Sequence, residues 1–90
     1  MLFIETLRDA MAAVKRDGMM LQHVPKEFKT LRLYLTAVKQ NGLALQFVPE
    51  KLQAPTIFLI AVRQNGEALQ FIPQKYRTEE ILLAARETQT

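Results

Sequence analysis

Ninety residues, 49% of them apolar and 23% charged, describe one folded domain with a modest core and exclude a disordered or fibrous chain. The net charge of +3 permits an anionic partner but lacks the dense basic cluster of a dedicated nucleic-acid binder. Cysteine and serine are absent, which rules out disulfides and the commonest nucleophilic catalysts, and no apolar run reaches the ~20 residues of a membrane-spanning helix.

The chain opens MLFIETLRDAM, where Glu5 and Asp9 interrupt the basic-then-apolar order of a secretory leader. A cytoplasmic protein, or one delivered into a host cytoplasm, is therefore expected. The first helix is predicted over 5–17, with Thr6 at its N-cap and Gly18 just past its end. The second is predicted over 30–41. Thr30 caps it, and Leu31, Tyr34, Leu35 and Val38 follow the i, i+3, i+4, i+7 spacing of one apolar face. The third, over 56–65, has Pro55 in its first turn, where a missing N–H has no partner to lose. The fourth, over 78–88, starts at Thr78. Gly18, Gly42 and Gly66 are expected to be left-handed residues that stop the first three helices. Asn-Gly is also a hairpin signal, but its flanks here carry a helical period and not an alternating one. LALQFVP, closed by Pro49, is too short for a full helix and predicts one helical turn; EKLQ after it predicts another.

These elements recur because the sequence recurs. AVKRDGMMLQHVP at 13–25, AVKQNGLALQFVP at 37–49 and AVRQNGEALQFIP at 61–73 are one phrase repeated at a spacing of 24 residues, and residues 25–48 and 49–72 are identical at 11 positions. A fixed period of this length marks stacked units that bury their apolar faces against neighbours. The expected fold is all-α: a short helical-repeat, solenoid-like stack of either hand. It forms a single domain spanning 1–90, with units 1–24, 25–48 and 49–72 and a partial unit 73–90. Each unit has one long helix and one short helical turn, about 3.75 units in all. Asp9 replaces the apolar residue found at Leu33, Ile57 and Ile81, while Glu79 and Arg86 replace Leu31 and Val38. One face thus turns polar at the start of the chain and the opposite face at its end, as caps of a stack require.

The residue inventory argues against an enzyme. His23, the one histidine, fills the slot of Phe47 and Phe71 and has no ligand-spaced neighbours, so no metal or cofactor is expected. Glu79 and Glu80 adjoin on a helix and point in different directions. The glycines are too widely spaced to form a phosphate loop. Gln22, Gln46 and Gln70 form a ladder that reads first as amides capping loop backbone. A second ladder is basic. Lys15, Lys39 and Arg63 share one repeat position, and Arg8 and Arg32 lie seven residues earlier on nearly the same face. Ile60 sits on that face where other units carry Ala12, Thr36 and Ala84, and Glu80 and Glu87 end the basic series in the fourth unit.

The repeated AVKQNGxALQFVP phrase, with Gly42, Gln46 and Pro49 at fixed offsets, resembles the bacterial domain-of-unknown-function 4116 family. The first unit is a looser match, with Asp17 for Asn, Met20 for Ala and His23 for Phe. The resemblance implies a small helical repeat found in proteins that manipulate partners, and it carries no catalytic residues. The expected function is a non-catalytic protein-interaction module (an effector fragment, inhibitor or adaptor), acting as a monomer or weak dimer. Its partner would be another protein with an acidic patch, bound through Arg8, Lys15, Arg32, Lys39, Ile60 and Arg63. The alternative is a nucleic-acid or acidic-surface binder using the same Lys/Arg ladder.

Overall fold

The computed structural model describes residues 4–88, and the described chain is all-helical. Four α-helices, α1 (Leu7–Arg16), α2 (Leu31–Gln40), α3 (Pro55–Gln64) and α4 (Glu79–Thr88), begin 24 residues apart. Between them run six-residue 3₁₀ segments at Gly18–His23, Gly42–Phe47 and Gly66–Phe71. Each is followed, after a proline, by a three-residue turn at Lys26–Phe28, Glu50–Leu52 or Gln74–Tyr76. Each α-helix packs on the next, and the 3₁₀ segment at 42–47 packs against those at 18–23 and 66–71.

Local chemistry explains where the helices start. The hydroxyls of Thr6, Thr30 and Thr78 accept from the N–H groups of Asp9, Leu33 and Ile81 at 3.1, 3.2 and 3.4 Å. Each satisfies one of the donors that a helix start leaves without an internal partner. At α3, Pro55 takes over, and the N-cap Ala54 makes no side-chain bond.

Helix ends differ from the expectation. No glycine among the described residues has a positive φ. Each helix stops one residue earlier, at Asp17, Asn41 or Asn65, whose φ lies near −150°. The backbone N–H of each of these donates to Ala13, Ala37 or Ala61 at 2.9 Å, closing the α-helix. Its side-chain oxygen accepts from the N–H two residues on, at 2.9–3.0 Å, and so opens the 3₁₀ segment.

Glycine is needed for a different reason. A Cβ on Gly18 would collide with the backbone carbonyl of Ala37, and one on Gly42 with that of Ala61. The last turn of the next helix therefore lies directly on each glycine. The Gly18 N–H donates to Gln40 Oε1 at 2.6 Å, and Gln40 Nε2 donates back to the Arg16 carbonyl at 3.2 Å. Gly42 makes the same bond to Gln64 Oε1 at 2.5 Å. Alanine, glutamine, Asx and glycine thus form a joint between consecutive helices, and the joint accounts for the phrase the sequence repeats.

The core runs the length of the molecule. Its largest fully buried side chains include Phe58, Leu21, Leu33, Leu45, Ile72, Val14, Val38 and Val62, with no polar or charged residue buried among those described. Burying one such apolar side chain contributes roughly 1.5–3 kcal/mol. Tyr34 is buried, and burial raises the pKa of its phenol above 10.0. Tyr76 tilts against Phe58 with ring centroids 5.5 Å apart. Leu33, Ile57 and Ile81 are buried where Asp9 is only partly so, and Val14, Val38 and Val62 are buried where Arg86 is exposed. Leu31, expected on the apolar face that turns polar at Glu79, is instead 52% exposed. Its position faces outward in α1 too, where Leu7 is also exposed.

Candidate binding face

An α-helix brings residues seven apart to one face about 10 Å apart along the axis. Arg8 and Lys15 on α1, and Arg32 and Lys39 on α2, are such pairs, and all four are exposed. On α3 the corresponding positions hold Thr56 and Arg63, both exposed. Ile60 lies between them and is half-buried, packed on the core. The face is therefore real as a surface, with its polar heads in solvent.

Within it, three of the six residues converge. Arg8, Lys15 and Arg32 line an open groove between α1 and α2, together with Leu7, Met11 and Thr30. Lys39, Ile60 and Arg63 are not among its walls and lie farther along the face. Leu7 and Met11 give the groove apolar surface beside its three cations, so an entering group meets both kinds of contact.

An equivalent groove lies between α3 and α4, lined by Pro55, Thr56, Leu59, Thr78, Glu80 and Ile81. Five of its six walls occupy the same repeat positions, but it has one carboxylate and no cation. Where the first groove has Arg8 and Arg32, the second has Thr56 and Glu80.

The glutamine ladder is structural in its hydrogen bonding. Gln22, Gln46 and Gln70 donate to the carbonyls of Met19, Leu43 and Glu67, three residues back, at 3.2, 3.0 and 3.0 Å. Each closes a turn of its own 3₁₀ segment. Farther on, Gln53 Nε2 and Arg77 Nε donate to the Val48 and Ile72 carbonyls at 3.1 and 2.8 Å, tying the Pro49 and Pro73 corners to the segments before them. His23 is exposed, whereas Phe47 and Phe71 are half-buried. Among the described residues no group of acids and histidines could hold a metal ion, and no helix is long and apolar enough to cross a membrane.

Sequence reasoning found the cations but not the apolar side chains that share their groove, nor the joint beside it. Leu7 and Met11 flank Arg8 at helical spacing, a signal available in the sequence. Gln40 and Gln64 stand at the same place in the repeated phrase, and Arg16 and Thr88 break that series only where the joint has no earlier helix to reach or is made differently. Thr88 Oγ1 donates to the carbonyls of Val62 and Ala85, at 3.1 and 3.0 Å.

Residues 10–53 match the family model of a domain of unknown function, DUF4116. Neither a curated protein nor a solved structure matches the chain.

Proposed function

The chain belongs to the DUF4116 family through residues 10–53, and we propose that it is a non-catalytic protein-binding module. In this reading it is a short solenoid-like helical-repeat stack acting as an effector fragment, inhibitor or adaptor in a cytoplasm, and the outer face of its α-helices is the binding surface. The observation that supports it is the α1–α2 groove, where Arg8, Lys15 and Arg32 line the same opening as the apolar Leu7 and Met11. Apolar surface rimmed by charge is what an acidic, partly apolar protein segment needs. The apolar side chains supply affinity, and the cations supply orientation and on-rate. Lys39, Arg63 and Ile60 extend the contact along the face, with Ile60 as the desolvated anchor. Asp9 and Arg86 blunt the two ends of the stack, so the module is a monomer or weak dimer and not an open-ended fibre.

The test is direct titration of the full chain with a glutamate-rich amphipathic helical peptide. Wild type should bind it, Lys39→Glu and Ile60→Glu should each weaken binding about tenfold, and a mild salt dependence should accompany it. Equal binding by wild type and both variants, all folded, would reject this face. A second reading, binding of nucleic acid through the same ladder, is favoured only by the cations. It predicts instead a steep loss of duplex binding with salt, reflecting the several phosphates neutralised.

A further inference from the structure

On the outer face, three rows cross the four helices. One charged row holds Arg8, Arg32, Thr56 and Glu80, and the other, about 10 Å away, holds Lys15, Lys39, Arg63 and Glu87. Between them lies a mostly apolar row built from Met11, Leu35, Leu59 and Leu83, with Ile60 beside it. Met11, Leu35, Leu59 and Ile60 are half-buried, and Leu83 is 46% exposed. Both charged rows change sign in the same direction, from cations on α1 to carboxylates on α4. The two open grooves repeat that polarity, with Arg8 and Arg32 lining one and Glu80 lining the other.

We infer that this face binds a second copy of the chain, face to face and antiparallel, with the basic α1–α2 groove of one copy over the acidic α3–α4 groove of the other. A two-fold axis parallel to the helices, passing between α2 and α3, brings this about. It sets Arg8 opposite Glu80 and Lys15 opposite Glu87, twice each by symmetry, and lays the apolar rows on one another. The parallel arrangement would put like charges together on α1, α2 and α4, which opposes it. One contact works against the antiparallel dimer, since Lys39 then meets Arg63. The same carboxylates explain why the occupant is a second copy: a uniformly acidic partner or a nucleic acid would be repelled by the α4 end of the face.

The area sets the strength. Ten-residue helices are about 15 Å long, and the molecule's longest dimension is 41 Å. The face thus offers about 600 Å² per copy, below the roughly 800 Å² of a standard interface. A salt-sensitive dimer with a dissociation constant on the order of 10–100 µM is expected. The inference rests on the outer face being a binding surface, as in the proposed function, but names a different occupant.

Sedimentation equilibrium of the full chain at low and high salt tests it. Wild type should dimerise at low salt and dissociate at high salt. Arg8→Glu and Glu80→Arg alone should each weaken dimerisation about tenfold or more, because each turns two attractions into two repulsions. Mixed in equal amounts, the two variants should form a heterodimer, since each altered residue then meets its opposite charge. Circular dichroism establishes that both variants are folded. A wild type that stays monomeric to about 1 mM, variants that dimerise unchanged, or a folded mixture that stays monomeric would overturn the inference. The glutamate-rich peptide separates the two accounts. If Glu80→Arg is monomeric and still binds it, both hold. If the peptide binds but wild type never dimerises, only this inference fails. If the dimer forms and the peptide does not bind, only the acidic-partner reading fails.

Discussion

The inner joint and the outer face of this protein sit on the same helices and follow opposite rules. Along the joint, Ala37, Gln40, Asn41 and Gly42 are repeated at 61, 64, 65 and 66, and each has an atomic duty: a carbonyl that lies on the preceding glycine, an amide bracket, an Asx cap and a missing Cβ. On the outer face, position for position, arginine gives way to threonine and then glutamate, and alanine to isoleucine. The second and third units keep the joint unchanged, and a neighbouring backbone lies on it. The face answers only to solvent and to whatever binds it. Identity between units therefore reports packing, and departure between units, where it is ordered along the face, points to function.

Breaking the joint should have the largest effect. Gly42→Ala places a methyl against the Ala61 carbonyl, which cannot move without carrying α3 with it. Overpacking of this kind costs typically 1–3 kcal/mol, and the rigid backbone partner puts this site near 3. At roughly 4–8 °C per kcal/mol for a domain of this size, the melting temperature should fall by about 12–24 °C in calorimetry. Gly42→Ala melting like the parent would mean the glycine is not the point of close approach.

Next comes the bracket. Gln40→Ala removes two hydrogen bonds and leaves the part-buried Gly18 N–H without its acceptor. A loss of about 2 kcal/mol is expected by urea denaturation. Gln46→Ala removes one exposed bond within its own 3₁₀ segment and should cost only about 0.5 kcal/mol. Equal losses would erase the distinction between an amide that joins units and one that only closes a turn.

That distinction also marks what the sequence could and could not disclose. The N-caps Thr6, Thr30 and Thr78, Pro55 at a helix start, and the short turns after each glycine are local signals. Each depends on residues within four positions, so helix bounds fall within two residues of expectation. The glycines mislead because a glycine after a helix has a common local use, the left-handed cap, whereas here Gly18 and Gly42 serve contacts with the next helix, 19 and 22 residues later. Leu31 misleads for a related reason: its apolar side chain fits a helical stripe, but only packing decides which edge of that stripe stays exposed. On the face, the cations were legible by spacing. The groove was not, because it needs Leu7 and Thr30 brought to one place by α1 packing on α2.

The smallest predicted effect concerns pH. Burial raises the Tyr34 phenol above its usual 10.0. The unfolded chain therefore releases this proton first as pH rises. The stability tied to the neutral phenol is fully present below pH 10 and is lost as pH climbs through the higher folded value. Tyr34→Phe should flatten that decline between neutral pH and strongly alkaline solution. An unchanged alkaline profile in the variant would assign the loss to other groups.

We propose that the outer helical face, and not the 3₁₀ side with its glutamines, is where this protein binds. Amide chemical shifts of the labelled full chain, followed by NMR as the glutamate-rich helical peptide is added at low salt, test it most directly. The account predicts perturbations concentrated at Arg8, Met11, Lys15, Arg32 and Lys39, fading toward Glu80. Perturbations centred on Gln22, Gln46 and Gln70, or none at saturating peptide, would contradict it.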